Sequence, residues 1–287
     1  MNWKSYAKIN LFLDITGKRD DGYHTIDTVF LMVSLHDSIV LSENDELEDG
    51  EIAFDCDIEE LNSRDNLIWK AIELMRPYIP SGKKGITLKL NKVIPFGAGL
   101  GGGSSNAASA MLLLRKHFNI DIDDKALMRL GSRLGADVPF FVRGGIARGR
   151  GIGDELNYYD GLIFPYHFII IKPPIHASTQ EAYQGLLSVN PQSNKSLDEL
   201  LQGIQSGDLD SVSKNLYNKF EESQFARYPV LKELKDKLLA CGACGALMSG
   251  SGSALFAIYR TKEMAEAAFK SLNDKDNQVF MAEAVIN

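Results

Sequence analysis

The chain is organised around one glycine-rich stretch, Pro95-Phe96-Gly97-Ala98-Gly99-Leu100-Gly101-Gly102-Gly103-Ser104-Ser105. A strand pattern of alternating apolar and polar residues precedes it from Ile86 to Ile94, and a helix pattern follows from Ser104 to His117. Five glycines in seven residues leave the backbone N–H groups open to a ligand. The N-terminus of a helix, which we expect Ser104 or Ser105 to cap, favours an anion. The stretch therefore predicts a phosphate-binding loop.

Three explanations of this loop compete on the residues alone. A Walker A loop needs lysine after its second glycine, and Gly103 stands where that lysine would be, so this explanation fails. Gly97, Gly99 and Gly102 match the dinucleotide fingerprint G-x-G-x-x-G, but the nearest acidic residues follow a helix rather than a second strand. A purely structural turn would not require five glycines, because each one adds conformational entropy to the unfolded chain.

A further explanation is a family resemblance. The pattern Pro95-x-x-x-Gly99-Leu100-Gly101-x-x-Ser104-Ser105 resembles the central motif of the GHMP small-molecule kinases, which lay this loop over the ATP phosphates. Its specific form is similar to the branch of the family that phosphorylates a cytidine-diphosphate-linked alcohol. The resemblance implies an ATP site with Mg²⁺ as the accompanying ion. The implied ATP-binding residues of the loop are Pro95, Phe96, Gly97, Ala98, Gly99, Leu100, Gly101, Gly102, Gly103, Ser104 and Ser105.

The resemblance also implies an α+β fold of two domains. The first is a ribosomal-protein-S5-domain-2-like domain over residues 1–160, and the second is a ferredoxin-like domain over residues 161–287. A length of 287 residues is long for a single core, which agrees with two domains.

Composition restricts the possible partners. The net charge of −7 and the isoelectric point near 5.3 argue against a nucleic-acid surface, which needs a basic stripe. No apolar run approaches the roughly 20 residues that span a bilayer, and the N-terminus lacks the blocks of a signal peptide. We therefore expect a cytoplasmic protein with a small-molecule substrate, no nucleic-acid or membrane partner, and a monomeric or weakly dimeric state.

The cysteines do not indicate a disulfide framework or a metal site. Their number is odd, and Cys241-x-x-Cys244 has no second Cys or His pair to complete four zinc ligands. Because small residues surround Cys241 and Cys244, we expect them to form a close-packed turn.

Residues 6–15 read as a strand with two faces, and Lys8 and Asn10 lie on the same one. The simplest explanation of Lys8 is an exposed lysine on an edge strand. However, Ala7-Lys8-Ile9-Asn10-Leu11 resembles the opening motif of the kinase family, although Tyr6 replaces the usual proline. The resemblance implies that Lys8 is catalytic and lies by the acceptor hydroxyl, and that Asn10 binds the substrate.

The stretch from Gly17 to His24 predicts a hairpin connection and is most simply a solvated turn. Its pattern Arg-x-Asp-Gly-Tyr-His is typical of the cytidine-specific branch, and the resemblance implies that Tyr23 stacks on the cytosine and His24 lies near its polar edge. Thr179 and Tyr183, one helical turn apart, match the hydroxyl contact and second stacking aromatic residue of the family.

Two further residues have both a structural and a functional interpretation. Asn66 can cap a helix that runs to about Met75, and the resemblance places it near the adenine. Asp137 precedes Pro139 and is most simply a helix N-cap. It also matches the aspartate of the motif Gly-Ala-Asp-Val-Pro-Phe in the cytidine-specific branch, and the resemblance implies that it is catalytic. An N-cap hydrogen bond would leave a carboxylate lone pair for catalysis.

The remaining pattern predicts further elements. They are strands Ile26–Leu35 and Ser38–Ser42; an acidic loop over residues 43–51; a helix over residues 124–134 closed by Gly135; a turn-rich stretch over residues 144–151; strand Phe168–Lys172; helices Thr179–Leu187, Leu197–Ile204, Leu209–Phe220 and Pro229–Leu239; strands Ala246–Met248 and Ala254–Tyr259; a Thr261-capped helix to Leu272; and strand Val279–Val285. The order from residue 168 onward is ferredoxin-like. The run Ser249–Ser253 is either a hairpin turn or, by resemblance, the third family motif, which closes over the phosphate loop.

Together the motifs predict an ATP-dependent kinase in which Asp137 accepts the substrate hydroxyl proton and Lys8 keeps Asp137 ionised. One alternative is another GHMP kinase for mevalonate, homoserine or a sugar, but Tyr23, His24 and Tyr183 suit a substrate with a base. A second is a nucleotide-binding regulatory protein without catalysis, which need not retain Lys8 or Asp137. The most distant is a dinucleotide oxidoreductase.

Overall fold

The computed structural model describes residues 1–186, 194–273 and 276–286. The chain divides into two compact units, each discontinuous in sequence. Unit 1 contains Met1–Ala7, His36–Ile94 and Gly101–Gly144, and unit 2 contains Lys8–Leu35, Pro95–Leu100 and Gly145–Asn287. The division near residue 160 stays a prediction.

The described residues form strands and helices in the following order. The strands are β1 (Asn2–Lys18), β2 (His24–Glu43), β3 (Ile52–Cys56), β4 (Ile86–Asn91), β5 (Ile146–Arg150), β6 (Glu155–Tyr158), β7 (His167–Lys172), β8 (Tyr217–Asn218), β9 (Gly245–Met248), β10 (Leu255–Tyr259) and β11 (Gln278–Glu283). The helices are α1 (Leu67–Met75), α2 (Gly102–Phe118), α3 (Asp124–Gly131), α4 (Val138–Arg143), α5 (Thr179–Gly185), α6 (Leu197–Ser206), α7 (Leu209–Lys214), α8 (Glu221–Arg227), α9 (Pro229–Ala240) and α10 (Lys262–Leu272).

Helix α2 is the centre of unit 1. It carries a buried run of small residues, Ala107, Ala108 and Ala110, which lets α1 and α4 pack closely against it. Strand β4 pairs antiparallel with the second half of β2, from Ser38 opposite Asn91, and parallel with β3 on its other side. The glycine stretch therefore connects β4 to the helix on which α1 and α4 pack.

Unit 2 contains a ferredoxin-like sheet. Its strand order is β11-β7-β10-β9, with every pairing antiparallel. The predicted order of elements in this part of the chain is therefore confirmed, and so is the α+β class. Helices α9 and α10 pack on this sheet, and the residues between Phe168 and Ile171 are fully buried. In the same unit, the first half of β2 pairs with β5, and β1 pairs parallel with β8.

Several local predictions are confirmed. Asn66 caps α1, and Thr261 caps α10 by accepting a hydrogen bond from the Met264 N–H group. The stretch between β1 and β2 is a hairpin turn in which the Arg19 N–H group donates to the Tyr23 carbonyl. The turn at Cys241 and Cys244 joins α9 to β9.

Other local predictions are wrong. The two strands predicted before residue 43 are one strand, β2, which continues through His36 and Asp37 because the carboxylate of Asp37 is buried with hydrogen-bond partners. The turn-rich stretch at residues 144–151 contains β5, which pairs with β2.

Two helix predictions also fail at their C-terminal ends. Helix α3 ends at Gly131, not Leu134, and α7 ends at Lys214 because the chain then pairs with β1 as β8. Helix α8 was not predicted. Residue Leu187, the predicted end of α5, lies outside the described residues.

No helix among the described residues has the length and apolar character that crossing a membrane requires.

Candidate active site

The first half of the glycine stretch adopts backbone conformations that require glycine. Gly97 has φ +63° and Gly99 has φ +76°, in the left-handed region that disfavours other residues. A Cβ atom built on Gly99 would lie only 2.0 Å from the carbonyl oxygen of Ser249. The absence of a side chain at Gly99 therefore allows two backbone segments of unit 2 to meet.

The serine-glycine run closes over this part of the loop, as predicted. The hydroxyl of Ser249 donates to the Gly99 carbonyl at 2.9 Å, and the Ala254 N–H group donates to the Ala98 carbonyl at 3.1 Å. Buried Asn218 holds the run from behind, since its Nδ2 donates to the carbonyls of Met248 and Gly250 at 2.6 and 2.8 Å. Sequence reasoning missed Asn218, whose partners are about 30 residues away in the chain.

The second half of the glycine stretch opens helix α2 in unit 1. Gly101 is the N-cap residue with φ +69°, and the helix begins at Gly102 without a side-chain cap. The prediction that Ser104 or Ser105 caps this helix is wrong, because both lie within its first turn and the Ser105 N–H group already donates to the Gly101 carbonyl. The first N–H groups of a helix lack intrahelical partners, so this end presents donors to an anion.

Lys8 is buried rather than exposed, so the edge-strand explanation is wrong. Its side chain is 4% exposed, and its Nζ donates to Asn10 Oδ1 at 2.7 Å and lies 5.4 Å from the centre of the Phe30 ring. The backbone N–H group of Lys8 donates to the Leu100 carbonyl at 3.0 Å. This hydrogen bond attaches the strand that carries the lysine to the glycine loop.

A chain of hydrogen bonds continues from Lys8 across the sheet. Asn10 Nδ2 donates to Thr28 Oγ1 at 2.8 Å, and the Thr28 hydroxyl donates to the Phe12 carbonyl at 2.6 Å. All three side chains are buried, and a buried polar chain with satisfied partners has few alternative arrangements. Asn10 and Thr28 therefore orient the Lys8 ammonium. Sequence reasoning missed Thr28, whose partner Asn10 is 18 residues away in the chain.

The aromatic residues predicted to bind a base are in unit 2. Tyr23 is 63% exposed on the hairpin turn. His24 stacks on Tyr183, with ring centres 4.7 Å apart and planes at 20°, and Phe220 meets Tyr183 edge-on at 5.0 Å. The fold therefore brings together His24 and Tyr183, which are 159 positions apart in the chain. Tyr23, which precedes His24, is exposed to solvent.

Thr179 begins helix α5 and contacts the serine-glycine run. Its Oγ1 lies 3.0 Å from Ser251 Oγ, a distance at which either hydroxyl can donate. The Gln224 amide also donates to the Ser251 carbonyl at 3.2 Å. The first contact connects the predicted substrate contact at Thr179 to the run that covers the glycine loop, and the second holds Ser251 of that run.

Asn66 has a structural role. Its Oδ1 accepts from the Ile68 N–H group at 2.9 Å, and its Nδ2 donates to the Leu61 carbonyl at 2.8 Å. One end of the amide caps helix α1, and the other end attaches this helix start to the preceding segment. The predicted contact of Asn66 with adenine stays a prediction.

Asp137 occupies the position before helix α4 but does not cap it. Its backbone is in the right-handed helical region, and its side chain accepts no cap hydrogen bond. The predicted capping hydrogen bond is therefore wrong, although the predicted start of the helix and the position of Pro139 in its first turn are confirmed. Gly135, two residues earlier, approaches the first turn of α2, since a Cβ atom built on it would lie 3.8 Å from Ser104 Oγ. Asp137 therefore comes directly after a segment that packs against the N-terminal turn of α2.

Asp14 lies on the same strand face as Lys8 and Asn10, and burial raises the pKa of its carboxyl group. The Ile15 N–H group and the charge of Lys219 act in the opposite direction on that pKa. Desolvation dominates because the side chain is partly covered, so the ionised form of Asp14 is disfavoured in the fold.

Metal ligands are not evident from the geometry. Within residues 1–186, 194–273 and 276–286, no three His, Cys, Asp or Glu side chains are grouped in the way a protein-built metal site requires. Mg²⁺ bound with a nucleotide keeps several waters and takes only one or two protein carboxylates, so it does not require such a group.

Comparison with known proteins identifies the family. The model of the GHMP kinase N-terminal domain matches residues 66–145, and the model of the GHMP kinase C-terminal domain matches residues 200–278. The first match contains the whole glycine stretch and Asp137, and the second contains the serine-glycine run.

Full-length relatives agree with these matches. The chain is 39% identical to a 4-diphosphocytidyl-2-C-methyl-D-erythritol kinase of Alkaliphilus metalliredigens, with 94% of this chain and 91% of the relative covered. It is also 39% identical to a protein of the same name from Chlorobium phaeobacteroides, with 96% and 92% covered. A crystal structure of 4-(cytidine 5'-diphospho)-2C-methyl-D-erythritol kinase superposes with a TM-score of 0.85 at 30% identity, and both chains are covered completely. The chain therefore belongs to the GHMP kinase family, in the branch formed by the 4-diphosphocytidyl-2-C-methyl-D-erythritol kinases.

Proposed function

We propose that this protein transfers the γ-phosphoryl group of ATP to the 2-hydroxyl of 4-diphosphocytidyl-2-C-methyl-D-erythritol, a step of the non-mevalonate isoprenoid pathway. The observation that carries the proposal is the closed glycine loop, in which Ser249 seals Gly99 and the backbone of buried Lys8 bonds to Leu100. The substrate is inferred from similarity, over nearly the whole of both chains, to relatives that are named as kinases of this compound.

The glycine loop is proposed to bind the phosphates of ATP. Residues 95–105 combine left-handed glycines with the N-terminal end of α2, where N–H groups favour negative charge. Backbone donors held in advance at the position where charge develops stabilise a transition state without reorganising. Mg²⁺ would enter with the nucleotide and would neutralise phosphate charge.

Lys8 and Asp137 are proposed to carry the chemistry. Asp137 accepts the proton of the 2-hydroxyl while the oxygen of that hydroxyl attacks the γ-phosphorus of ATP. The bond from the γ-phosphorus to the bridging oxygen then breaks and releases ADP. The ammonium of Lys8, oriented by Asn10, favours the developing alkoxide by its charge.

The cytidine group is proposed to bind at the aromatic residues of unit 2. Tyr23 offers an exposed ring, and Tyr183 lies in a stack with His24. A flat base gains about 1 kcal/mol from each well-placed aromatic ring beyond its burial, and the imidazole of His24 can form a hydrogen bond with its polar edge. Thr179 is proposed to contact a substrate hydroxyl, and Asn66 the adenine. A cytoplasmic location and a monomeric or weakly dimeric state are further expectations.

The test is ADP release from purified protein with Mg-ATP and one of four alcohols. We expect turnover with 4-diphosphocytidyl-2-C-methyl-D-erythritol and none with mevalonate, homoserine or galactose. Asp137→Ala should lower kcat by about 10²-fold or more, because a positioned acid-base group contributes 10²–10⁴-fold. Turnover only with another alcohol would refute the cytidine site, and ATP binding without any turnover would favour a regulatory protein.

A further inference from the structure

We propose that Asp37 is a positioning residue that holds both ends of the phosphate loop in unit 1, a role that rests on the proposed ATP-dependent function. Asp37 lies in the middle of β2 with 0% of its surface exposed. Its Oδ1 accepts the backbone N–H groups of Val93 and Ile94, both at 2.7 Å. These two residues come directly before Pro95, so one carboxylate oxygen holds the entry to the loop.

The other oxygen of Asp37 holds the exit. It accepts from Asn106 Nδ2 at 2.8 Å and from Lys92 Nζ at 2.7 Å. Asn106 lies on the first turns of α2, immediately after Ser105. A carboxylate has about four lone-pair sites, and these four donors occupy them.

The network extends to the end of the glycine stretch itself. Asn106 Nδ2 also donates to Ser5 Oγ at 2.9 Å, and Ser5 Oγ lies 2.8 Å from Ser105 Oγ. Ser5, Ser105 and Asn106 are all at most 3% exposed. A Cβ atom built on Gly102 would lie 3.2 Å from Lys92 Nζ, so the start of the helix rests directly on this network.

Fixed ends matter because the loop between them is rich in glycine. Glycine residues have the largest conformational freedom, and binding that must first order them loses affinity. A charge-assisted network that is satisfied throughout permits essentially one arrangement of the segments it joins. A core of apolar residues would stabilise unit 1 at least as well as a buried ion pair, so stability alone does not account for the charge.

The discriminating variant is Asp37→Asn, which keeps the size and one carbonyl oxygen. The new amide group places a donor against the donors of Asn106 and Lys92, and it replaces charge-assisted hydrogen bonds at Val93 and Ile94 by weaker neutral ones. We expect the KM for ATP to rise about tenfold, which corresponds to about 1.4 kcal/mol. The KM for the cytidine substrate should not change, and amide hydrogen exchange at Val93 and Ile94 should become faster.

The double variant Asp37→Asn with Asn106→Asp provides a rescue test. It reverses the direction of the hydrogen bond between these two positions and so restores a donor–acceptor pair. We expect it to recover most of the ATP affinity. Leu127→Ala is the matched control, because Leu127 is fully buried on α3 in the same unit and its truncation lowers Tm without altering the network.

Two outcomes would overturn the proposal. One is a loss of Tm in Asp37→Asn with an unchanged KM for ATP, as expected of Leu127→Ala. The other is unchanged hydrogen exchange at Val93 and Ile94. The exchange measurement needs no substrate, so it still decides the role of Asp37 if the wild type releases no ADP, a result that would instead contradict the proposed function.

Discussion

Replacing Gly99 by alanine should open the contact between the glycine loop and the serine-glycine run. The new Cβ atom would lie 2.0 Å from the Ser249 carbonyl oxygen and 2.9 Å from its carbonyl carbon. Both are backbone atoms, so no rotation of a side chain relieves the overlap. Either the loop or the run must move, and the hydrogen bond from Ser249 Oγ to the Gly99 carbonyl is then lost.

The magnitude follows from two contributions. A non-glycine residue at the φ of +76° observed for Gly99 costs about 1–2 kcal/mol, and a lost hydrogen bond costs about 1 kcal/mol. If the loop retains its shape only with ATP bound, this sum of about 2–3 kcal/mol appears as a roughly 30- to 150-fold rise in the KM for ATP. We expect the rise in Tm on adding ATP to be smaller than in the wild type, because the cost is met only when ATP restores the shape of the loop.

The assay is ADP release at saturating cytidine substrate with ATP varied, together with the Tm of each protein with and without ATP. Gly207→Ala is the matched control. Gly207 also has a positive φ, +71°, but an added Cβ atom would meet nothing within 4 Å. It should therefore lower Tm by the backbone contribution alone and leave the KM for ATP unchanged.

The reasoning would be refuted by a Gly99→Ala enzyme with the wild-type KM for ATP. It would also be refuted if both alanine variants raised this KM equally, since the overlap with Ser249 would then have no effect of its own.

Two further predictions concern the strand that carries Lys8. Thr28→Val removes the hydroxyl that accepts from Asn10, so Asn10 can reorient and Lys8 loses its fixed position. We expect kcat to fall about tenfold with the KM for ATP unchanged, since a misplaced group costs roughly 10- to 100-fold. Thr28→Ser should behave as wild type, and equal kcat values for Thr28→Val and Thr28→Ser would contradict this role. Asp14→Asn should stabilise the protein at neutral pH, because burial raises the pKa of the Asp14 carboxyl above its unfolded value of 3.8. The unfolded state then loses its proton first, so wild-type stability falls as pH rises from 3.8 to the folded pKa. Denaturant unfolding from pH 3 to 7 should show the advantage of Asp14→Asn growing through that window and then remaining constant; a constant difference at every pH would contradict it.

Much of the candidate site could be predicted because its signals are local. The glycine loop, the strand before it and the helix after it are each encoded within a few residues, and so are the caps at Asn66 and Thr261. The strand alternation that put Lys8 and Asn10 on one face also held. The two serines failed as caps because Gly101, at positive φ, already starts the helix and Ser105 is drawn into the buried contact with Ser5.

The sequence by itself determined the phosphate loop, the ferredoxin-like order of the second half and the set of candidate residues, since these depend on local conformation and on motifs of a few residues. Only the tertiary structure decided that Lys8 is buried, that His24 stacks on Tyr183 and that Ser249 seals Gly99. The physical reason is that a buried polar group must find its partner wherever the fold supplies one. The partner of Gly99 is 150 residues away along the chain, and no local pattern records that distance.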